Sequence, residues 1–304
     1  LLRCSEHAMD HQIRHIPKVL YSWRASPGSV AHDGGAKPYA WDAGQRAVAD
    51  HLQRFTGQYV PVEKGVGRFT YRPRWPIQGS PLVSIIIPTR DKLDALQVAV
   101  DSILKKTIYN NYEIIIIDNG SAEPSTLNWF GQIQSKDQRV RVLHDDRPFN
   151  YSALNNSAVA VSRGEYILLL NNDIEVITSD WLSEMVSLAQ RDAAGCIGAK
   201  LYYPNQTIQH AGVILGIGGV AGHIHCGLHR NEAGYYNRML YFHNVIAVTG
   251  ACLLVKRKIY DHVGGLNESD LAIAFNDIDF CLKVSAAGYQ NAWTPFAELF
   301  HHES

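Results

Sequence analysis

Cysteine is sparse in this sequence of 304 residues, and its positions match neither a metal site nor a disulfide framework. The five cysteines are odd in number, widely spaced and without a C-x-x-C pair, so the simplest interpretation is a reducing compartment. Long apolar runs are missing too. The longest, residues 211–221, is interrupted by glycine and is shorter than the roughly 18 residues of a membrane span. We therefore expect a cytoplasmic protein without a transmembrane segment, compatible with peripheral association at the inner face of a membrane.

An excess of charge of either sign is also absent. The sequence has 28 Lys and Arg against 29 Asp and Glu, for a formal net charge of -1, which argues against a nucleic-acid partner. The glycine patterns G-x-G-x-x-G and G-x-x-x-x-G-K-[ST] do not follow the first apolar run, so typical dinucleotide sites and P-loops are disfavoured. Any anionic ligand must therefore be held by local features.

Composition divides the chain near residue 80. Residues 1–80 are rich in Pro, Gly, His and Arg, and apolar spacing in Trp41–Phe55 predicts one helix there. The prolines of Tyr71–Pro76 predict an extended linker. The chain begins at Leu1 without a methionine, and we expect it to be part of a longer polypeptide. We predict a linker region at 1–80 and a separate domain at 81–304.

From Pro81 onward, buried-type strands alternate with helices. Short apolar runs at 83–87, 114–117, 140–143 and 166–170 predict strands, and residues 125–133 and 151–161 predict helices between them. Asp91 is expected to cap a helix that buries Leu93, Leu96, Val100, Ile103 and Leu104. This order indicates an α/β fold, a mostly parallel sheet with helices on both faces. Such sheets bind ligands beyond the carboxyl ends of their strands.

Polar clusters stand at three of these strand ends. They are Pro88-Thr89-Arg90 after the first strand, Asp118-Asn119-Gly120-Ser121 after the second, and Asn171-Asn172-Asp173 after the fourth. A single Asp at a strand end is commonly only a turn former. Three clusters aligned along one edge favour a ligand site, although turn formation alone remains an alternative.

These clusters, together with three later motifs, resemble the signature of the family 2 glycosyltransferases. The later motifs are Val248-Thr249-Gly250-Ala251-Cys252, Gly264-Gly265-Leu266-Asn267-Glu268 and Asn276-Asp277-Ile278-Asp279-Phe280. The ordered set covers about three quarters of the chain and is more specific than any one motif. The resemblance implies a GT-A fold, with a nucleotide-binding half and an acceptor-binding half around one sheet.

The resemblance also implies a divalent cation, Mn²⁺ or Mg²⁺, because a near-neutral chain needs a charge carrier for a departing diphosphate. Asp173 resembles the second acidic residue of the family's D-x-D motif, and Asn171 replaces the first. His301 resembles the family's C-terminal metal-binding histidine, with His302 as the adjacent alternative. An ordinary turn at 171–173 and a surface histidine pair at 301–302 are the competing interpretations.

Asp277 is the candidate general base, since it matches the second residue of the family's E-D pair, where Asn276 replaces the Glu. Asn276 with Asp279 also reads as an ordinary helix N-cap, which is compatible with catalysis by Asp277. Asp118 matches the acidic residue that contacts the nucleobase, although an Asx-turn ahead of Gly120 is the alternative. The expected nucleotide-binding residues are Pro88, Thr89, Arg90, Asp118, Asn171 and Asn172.

The acceptor side is less clearly marked. We expect Thr249, Gly250, Asn276 and Trp293 to contact the acceptor or the donor sugar, with burial of Trp293 in the core as an equal alternative. The segment 209–234 is rich in glycine and histidine. His223 and His225 fall on one face of a strand but supply only two metal ligands, so a mobile glycine-rich loop is favoured over a metal site.

Ile13–Arg24 resembles the closing strand of a preceding glycosyltransferase domain, as in tandem members of this class. If so, the full protein carries at least two transferase modules.

The resulting hypothesis is inverting, metal-dependent transfer of a hexosyl or deoxyhexosyl group. The donor is a UDP- or dTDP-sugar, and the acceptor is a hydroxyl of a glycan or lipid-linked glycan in cell-surface polysaccharide synthesis. A non-catalytic sugar-nucleotide or glycan-binding module and a sugar-nucleotide pyrophosphorylase are the alternatives. The sugar, the linkage and the oligomeric state stay open.

Overall fold

The computed structural model describes residues 1–29, 32–33, 35 and 37–303. The chain divides into two compact units, Leu1–Pro76 and Ile77–Ser304. The first unit contains α1 (Leu2–Ser5), a 3-10 turn (Asp10–Gln12), α2 (Tyr39–Thr56), β1 (Val62–Lys64) and β2 (Tyr71–Pro73).

The predicted helix at Trp41–Phe55 is confirmed as α2, which ends where Gly57 adopts a left-handed φ of 70°. The predicted extended linker is wrong for its first half. Strand β2 pairs antiparallel with β1, and the Tyr71 hydroxyl donates to the carbonyl of Trp41 at 3.1 Å. A partner strand nearby in sequence therefore gives this segment regular structure despite its prolines.

The strand expected within Ile13–Arg24 is not observed. The segment has no strand assignment, and its larger apolar side chains, including Val19 and Tyr21, are exposed. A strand needs a neighbouring strand to satisfy its backbone groups, and no described residue of this unit pairs with the segment. A role in a preceding domain stays a prediction.

The second unit is built around one mixed sheet. Among the described residues, this sheet has ten strands, eight of them in the order β12-β14-β8-β13-β6-β3-β4-β5, with β7 paired to β14 and β9 paired to β8. The strands of the unit are β3 (Val83–Thr89), β4 (Tyr112–Asp118), β5 (Val140–His144), β6 (Tyr166–Leu170), β7 (Ile174–Val176), β8 (Ala194–Tyr202), β9 (Ile208–His210), β10 (Val213–Leu215), β11 (Ala221–His223), β12 (His243–Asn244), β13 (Cys252–Lys256) and β14 (Gln290–His301). The helices are α3 (Leu93–Lys106), α4 (Pro124–Lys136), α5 (Tyr151–Val161), α6 (Trp181–Ala189), α7 (Arg257–His262) and α8 (Asn276–Ala286), with 3-10 turns at Ile217–Gly219 and Tyr235–Leu240.

The four predicted strands and both intervening helices are confirmed, as β3 to β6, α4 and α5. Strands β3, β4, β5 and β6 run parallel, whereas β13 joins antiparallel to β6 and β8. Ile86, Ile115 and Leu169 pack with residues of α5 in one core cluster. Ile85 and Ile87 point to the other face and are also fully buried. Helices therefore cover both faces, which explains continuous apolar runs in place of alternating ones.

The predicted cap of α3 by Asp91 is wrong. The helix begins after Asp91 and Lys92, both at positive φ, and has no side-chain cap. The Asp91 carboxylate instead accepts hydrogen bonds from the backbone N–H groups of Ala122 and Glu123, at 3.0 and 2.9 Å. It therefore joins the loop after β3 to the loop after β4 and fixes the spacing of two neighbouring strand ends.

A buried carboxylate anchors the opposite edge of the sheet. Glu113, near the start of β4, accepts hydrogen bonds from the Ser84 hydroxyl at 2.7 Å and the Arg163 backbone N–H at 2.8 Å. The Arg163 guanidinium donates to its second oxygen at 2.8 Å. Burial alone raises the pKa of Glu113, but these hydrogen bonds and the charge of Arg141 outweigh it, so the pKa lies below its ordinary value. The ionised form therefore stabilises the fold.

We expect Glu113→Gln to lower the free energy of unfolding at pH 7 by about 1–3 kcal/mol, since hydrogen bonds to a charged group are lost. Because the folded-state pKa is depressed, this stabilisation is present above the ordinary glutamate pKa of about 4.3 and is lost as pH falls below it. Urea unfolding at pH 7 and at about pH 3 should show the variant's deficit shrinking on acidification. The exposed Glu123→Gln is the control, and a pH-independent deficit would contradict the assignment.

None of the described helices is both long and apolar enough to cross a membrane.

Candidate active site

Four segments meet at one edge of the central sheet. Strands β3, β4 and β6 are parallel and end there at Thr89, Asp118 and Leu170. Strand β13 runs the other way, and its first residue, Cys252, is paired with Leu170. The residues before Cys252 therefore arrive at the edge where the parallel strands end. The sheet topology therefore places the motif Val248–Cys252 beside the polar clusters that follow β3, β4 and β6.

Hydrogen bonds connect these segments into a continuous line. The Asn119 N–H donates to the Thr89 carbonyl at 2.8 Å, and the Asn172 amide donates to the Thr89 hydroxyl at 3.0 Å. The N–H of Asn171 then donates to the Ala251 carbonyl at 3.1 Å. Asp118, Asp173 and Asp277 thus belong to one edge, because Asp277 accepts from Gly250 next to Ala251.

The Asp118 carboxylate is buried, with 2% of the residue exposed. Its Oδ1 accepts the backbone N–H of Ser121 at 3.0 Å, and its Oδ2 lies 3.0 Å from Nδ1 of His144. The turn expected ahead of Gly120 (φ 74°) is therefore present, and it orients the Asp118 carboxylate. His144 was missed by the sequence reasoning, although its place directly after the third predicted strand was a usable signal.

The nucleotide candidates at the first strand end differ in exposure. Thr89 is buried and its hydroxyl donates to the Asp91 carbonyl at 3.4 Å as well as accepting from Asn172. Pro88 is partly buried and the Arg90 side chain is exposed. Arg90 is therefore the group of this segment that is most accessible to an anion.

Asp173 and His301 form a pair at the junction of β6, β7 and β14. Nε2 of His301 lies 3.1 Å from Oδ1 of Asp173 and 3.1 Å from Nδ2 of Asn171. Antiparallel pairing of β14 with β7 sets His301 opposite Ile174, which places it beside Asp173. His302 points elsewhere, with Nε2 3.4 Å from Oε2 of Glu175. Of the two candidate histidines, the geometry therefore favours His301.

Asp277 lies in the first turn of α8 and is partly buried. Its Oδ2 accepts the Gly250 N–H at 2.8 Å and its Oδ1 accepts the Ile278 N–H at 2.8 Å. The Tyr151 hydroxyl donates to the Gly250 carbonyl at 3.2 Å. Burial and the nearby Asp277 charge raise the pKa of Tyr151 above its ordinary value, so Tyr151 stays a neutral donor. Each carboxylate oxygen retains a lone pair for a further partner.

The structure changes the interpretation of two residues expected on the acceptor side, Trp293 and Asn276. Trp293 is fully buried and its indole N–H donates to the Ala199 carbonyl at 3.0 Å, so its ring has no face open to a sugar. The N-cap position of α8 is Phe275, not Asn276. Asn276 is buried and its amide donates to the carbonyls of Leu271 and Ile273. It therefore shapes the loop ahead of Asp277.

The histidine-rich segment forms a hairpin. Strand β11 ends at His223, so His225, at φ 60°, does not share a strand face with it. Buried His210 has Nδ1 3.3 Å from Nδ1 of His223, and its Nε2 accepts the Thr249 N–H at 3.4 Å. Burial holds the pKa of His210 well below its ordinary value. Within the part of the chain that the structure describes, no three His, Cys, Asp or Glu side chains cluster to hold a metal ion.

Substitution of Gly250 tests the packing of this residue against Tyr151 and Asp277. A Cβ at this position would lie 3.2 Å from the Tyr151 hydroxyl and 3.4 Å from Cβ of Asp277. We expect Gly250→Ala to cost about 1–3 kcal/mol of unfolding free energy, measured by urea denaturation, because the Tyr151 hydroxyl must shift, whereas the Asp277 Cβ lies at an ordinary contact distance. Gly131→Ala in α4 has nothing within 4 Å and should be neutral or slightly stabilising. Equal stability of the two variants would contradict the observed packing.

The comparisons with known proteins agree with this geometry. The profile "Glycosyl transferase family 2" matches residues 84–264. The whole chain is 62% identical to the uncharacterized protein y4gI of Sinorhizobium fredii (strain NBRC 101917 / NGR234) and 37% identical to the O-antigen biosynthesis protein RfbC of Myxococcus xanthus. It spans only 33% and 23% of the lengths of these two relatives.

Solved structures confirm the fold. A mannosyltransferase of Pyrobaculum calidifontis, in complex with GDP-Man and Mn²⁺, aligns with a TM-score of 0.55 at 14% identity over 87% of this chain and 66% of the other. GalNAc-T7 with UDP, GalNAc and Mn²⁺ aligns with a TM-score of 0.61 at 14% identity over 88% of this chain and 53% of the other. The predicted GT-A fold is confirmed, and because the family profile covers more than half of its residues, this chain belongs to glycosyl transferase family 2.

Proposed function

We propose that the second unit transfers a hexosyl or deoxyhexosyl group, with inversion, from a UDP- or dTDP-sugar to a hydroxyl of a glycan or lipid-linked glycan. The single observation that carries the proposal is the hydrogen-bonded line along one sheet edge. It joins a nucleotide-type carboxylate (Asp118), a carboxylate–imidazole pair (Asp173 and His301) and a second carboxylate (Asp277). These are the three kinds of group that sugar transfer from a diphosphate requires.

The nucleotide end is built around Asp118. Uracil and thymine present a ring N–H donor, and a carboxylate held by Ser121 and His144 has acceptor capacity left for it. Thr89 and Asn172 lie between this carboxylate and Asp173. Exposed Arg90 is suited to a phosphate oxygen. The order along the edge therefore matches base, ribose and diphosphate.

The residues present fit a divalent cation. Two neighbouring ligands at about 2.1 Å from an octahedral ion lie about 3.0 Å apart, and Oδ1 of Asp173 and Nε2 of His301 are 3.1 Å apart. Phosphate oxygens of the donor and water would complete the coordination of such an ion. One imidazole ligand favours Mn²⁺ over Mg²⁺, which prefers oxygen ligands. Such an ion, when bound, neutralises charge on the leaving diphosphate.

Asp277 is suited to remove the proton of the attacking hydroxyl. Its oxygens are fixed by two backbone N–H groups, and the neighbouring phenol of Tyr151 is held neutral. With Asp277 as the base and no covalent intermediate on the protein, a single displacement by the acceptor hydroxyl inverts the anomeric centre. Thr249 and Gly250 lie next to Asp277 and Ala251. We expect the donor sugar or the acceptor to contact them.

The relatives support the wider role. RfbC of M. xanthus is named for O-antigen biosynthesis, and both solved neighbours contain Mn²⁺ together with a nucleotide or nucleotide sugar. We therefore place this chain in cell-surface polysaccharide synthesis, in the cytoplasm or at the inner face of the membrane, as one module of a longer transferase.

A donor panel tests the proposal. Thermal unfolding is followed with UDP-, dTDP- and GDP-sugars, each with and without Mn²⁺, and the best donor is then used with radiolabel in transfer assays. We expect Mn²⁺-dependent stabilisation by one UDP- or dTDP-sugar and a product of inverted anomeric configuration by NMR. A panel in which no donor stabilises the protein, or a product with retained configuration, would overturn the proposal.

A further inference from the structure

A buried glutamine contacts the imidazole of the metal pair from behind. Gln209 lies in β9 and is 3% exposed. Its Oε1 is 2.8 Å from Nδ1 of His301, on the side of the ring away from Asp173. Its Nε2 donates to Oε1 of Glu303 at 2.7 Å. One side-chain amide thus connects His301 with Glu303.

The partners fix which end of this amide faces which group. An ionised carboxylate can only accept hydrogen bonds, so the NH₂ of Gln209 must face Glu303. The carbonyl Oε1 must then face His301, and a carbonyl oxygen also only accepts. Nδ1 of His301 therefore carries a hydrogen. The assignment follows from the chemistry of the acceptors in the chain of hydrogen bonds.

The consequence appears at the other ring nitrogen. In a neutral imidazole with hydrogen on Nδ1, Nε2 has a free electron pair. That pair faces Asn171 Nδ2, a donor, and Asp173 Oδ1, both at 3.1 Å. The electron pair of Nε2 and the Asp173 oxygen repel each other unless a cation lies between them. In the other tautomer Nε2 carries the hydrogen, so its N–H would point at the cation. Metal-binding histidines commonly donate their other N–H in this way.

We propose that Gln209, oriented by Glu303, is a positioning residue that keeps the proton of His301 on Nδ1 and leaves Nε2 available to bind the metal ion. This inference rests on the proposed function, since it concerns the same cation. It adds two residues that the sequence motifs do not contain.

The tautomer is directly measurable without metal. ¹⁵N NMR of protein with labelled histidine, at about pH 8 and above the ordinary titration range of imidazole, distinguishes Nδ1–H from Nε2–H. His301→Gln identifies the His301 signals by their disappearance. We expect Nδ1–H in the wild type and a mixture of tautomers in Gln209→Leu. An Nε2–H tautomer or a doubly protonated ring in the wild type would overturn the proposal.

A swap of the two side chains separates positioning from packing. Gln209→Glu alone conserves volume but places a second carboxylate next to that of Glu303. It should therefore disrupt the hydrogen bonds that connect Glu303, residue 209 and His301. Adding Glu303→Gln restores a donor at position 303 and an acceptor toward His301. Mn²⁺ affinity is measured by EPR of free Mn²⁺ at fixed UDP, with dTDP and GDP in parallel. We expect about 10–100-fold weaker Mn²⁺ binding for Gln209→Leu and Gln209→Glu, and recovery in the double variant.

The controls keep this test apart from that of the proposed function. Gln132→Leu, at an exposed position of α4, should bind Mn²⁺ as the wild type does. If the wild type binds no Mn²⁺ with any nucleotide, the proposed cation fails, whereas the NMR result still decides the tautomer. If the wild type and the Gln209 variants bind Mn²⁺ equally, the positioning role is refuted while the cation stands.

Discussion

Replacing Asp277 with asparagine is expected to lower the rate of sugar transfer by about 10²–10⁴-fold, the usual contribution of a general base. Asparagine keeps the shape and an oxygen for the Gly250 N–H, but it cannot take the proton of an acceptor hydroxyl. Binding of the donor with Mn²⁺, measured by thermal shift, should stay within a few-fold of the wild type. A loss in turnover with little change in binding identifies a group that acts in the transition state.

A neighbouring acidic residue provides the matched control. Asp279 lies in the same first turn of α8 and is 3.3 Å from the Lys283 ammonium. Asp279→Asn should retain near wild-type transfer, since an i, i+4 helix pair of this kind contributes only a few tenths of a kcal/mol. If Asp277→Asn keeps more than a tenth of wild-type turnover, or if both variants lose activity equally, the base lies elsewhere.

Replacing Asp173 with asparagine is expected to remove the Mn²⁺-dependent part of donor binding. A ligand present at 100 times its dissociation constant stabilises a protein by about 2.7 kcal/mol, and most of this increment should disappear in the variant. The substitution conserves shape, so the stability without Mn²⁺ should change little. The measurement is thermal unfolding with the best donor, with and without Mn²⁺.

Glu175 serves as the control for Asp173. It lies in β7, and its carboxylate contacts Lys106 and His302. Glu175→Gln should keep the full Mn²⁺ increment. An unchanged increment in Asp173→Asn would show that the cation is bound by other groups, and the role of His301 would fall with it.

The sequence predicted the nucleotide side of the fold well, because its strands are short apolar runs with polar clusters at their ends. Apolar runs report burial directly, and parallel strands must place their carboxyl ends at one edge. The placement of Asp118 and Asp173 at the same edge of the sheet was therefore predictable. The proposed roles of both residues, and that of Asp277, await the experiments above.

Contacts made across long sequence separations were not predictable. Gln209 meets His301 because β9 pairs with β8 and β14 with both β8 and β7, and no local pattern encodes this. The error at Asp91 has the same origin. Asp91 precedes a helix and looks like a cap, yet its carboxylate accepts hydrogen bonds from backbone N–H groups 31 and 32 residues later. Asn276 is instead the first residue of α8, and its amide donates to carbonyls of the loop just before the helix. For Trp293 the sequence does not distinguish a sugar contact from burial in the core, since an aromatic residue in an apolar strand fits either.

The late strand β14 has a consequence for the timing of synthesis. His301 lies 130 residues after its contact Asn171, and only the alignment of β14 with β7 brings it there. While the chain emerges from the ribosome, Asp173 is made long before its imidazole partner. A slip of β14 by one position would turn that imidazole to the opposite face. Contact between the Asp173 carboxylate and the His301 imidazole, the pair proposed to hold the ion, thus forms only once β14 has paired with β7 in the correct alignment.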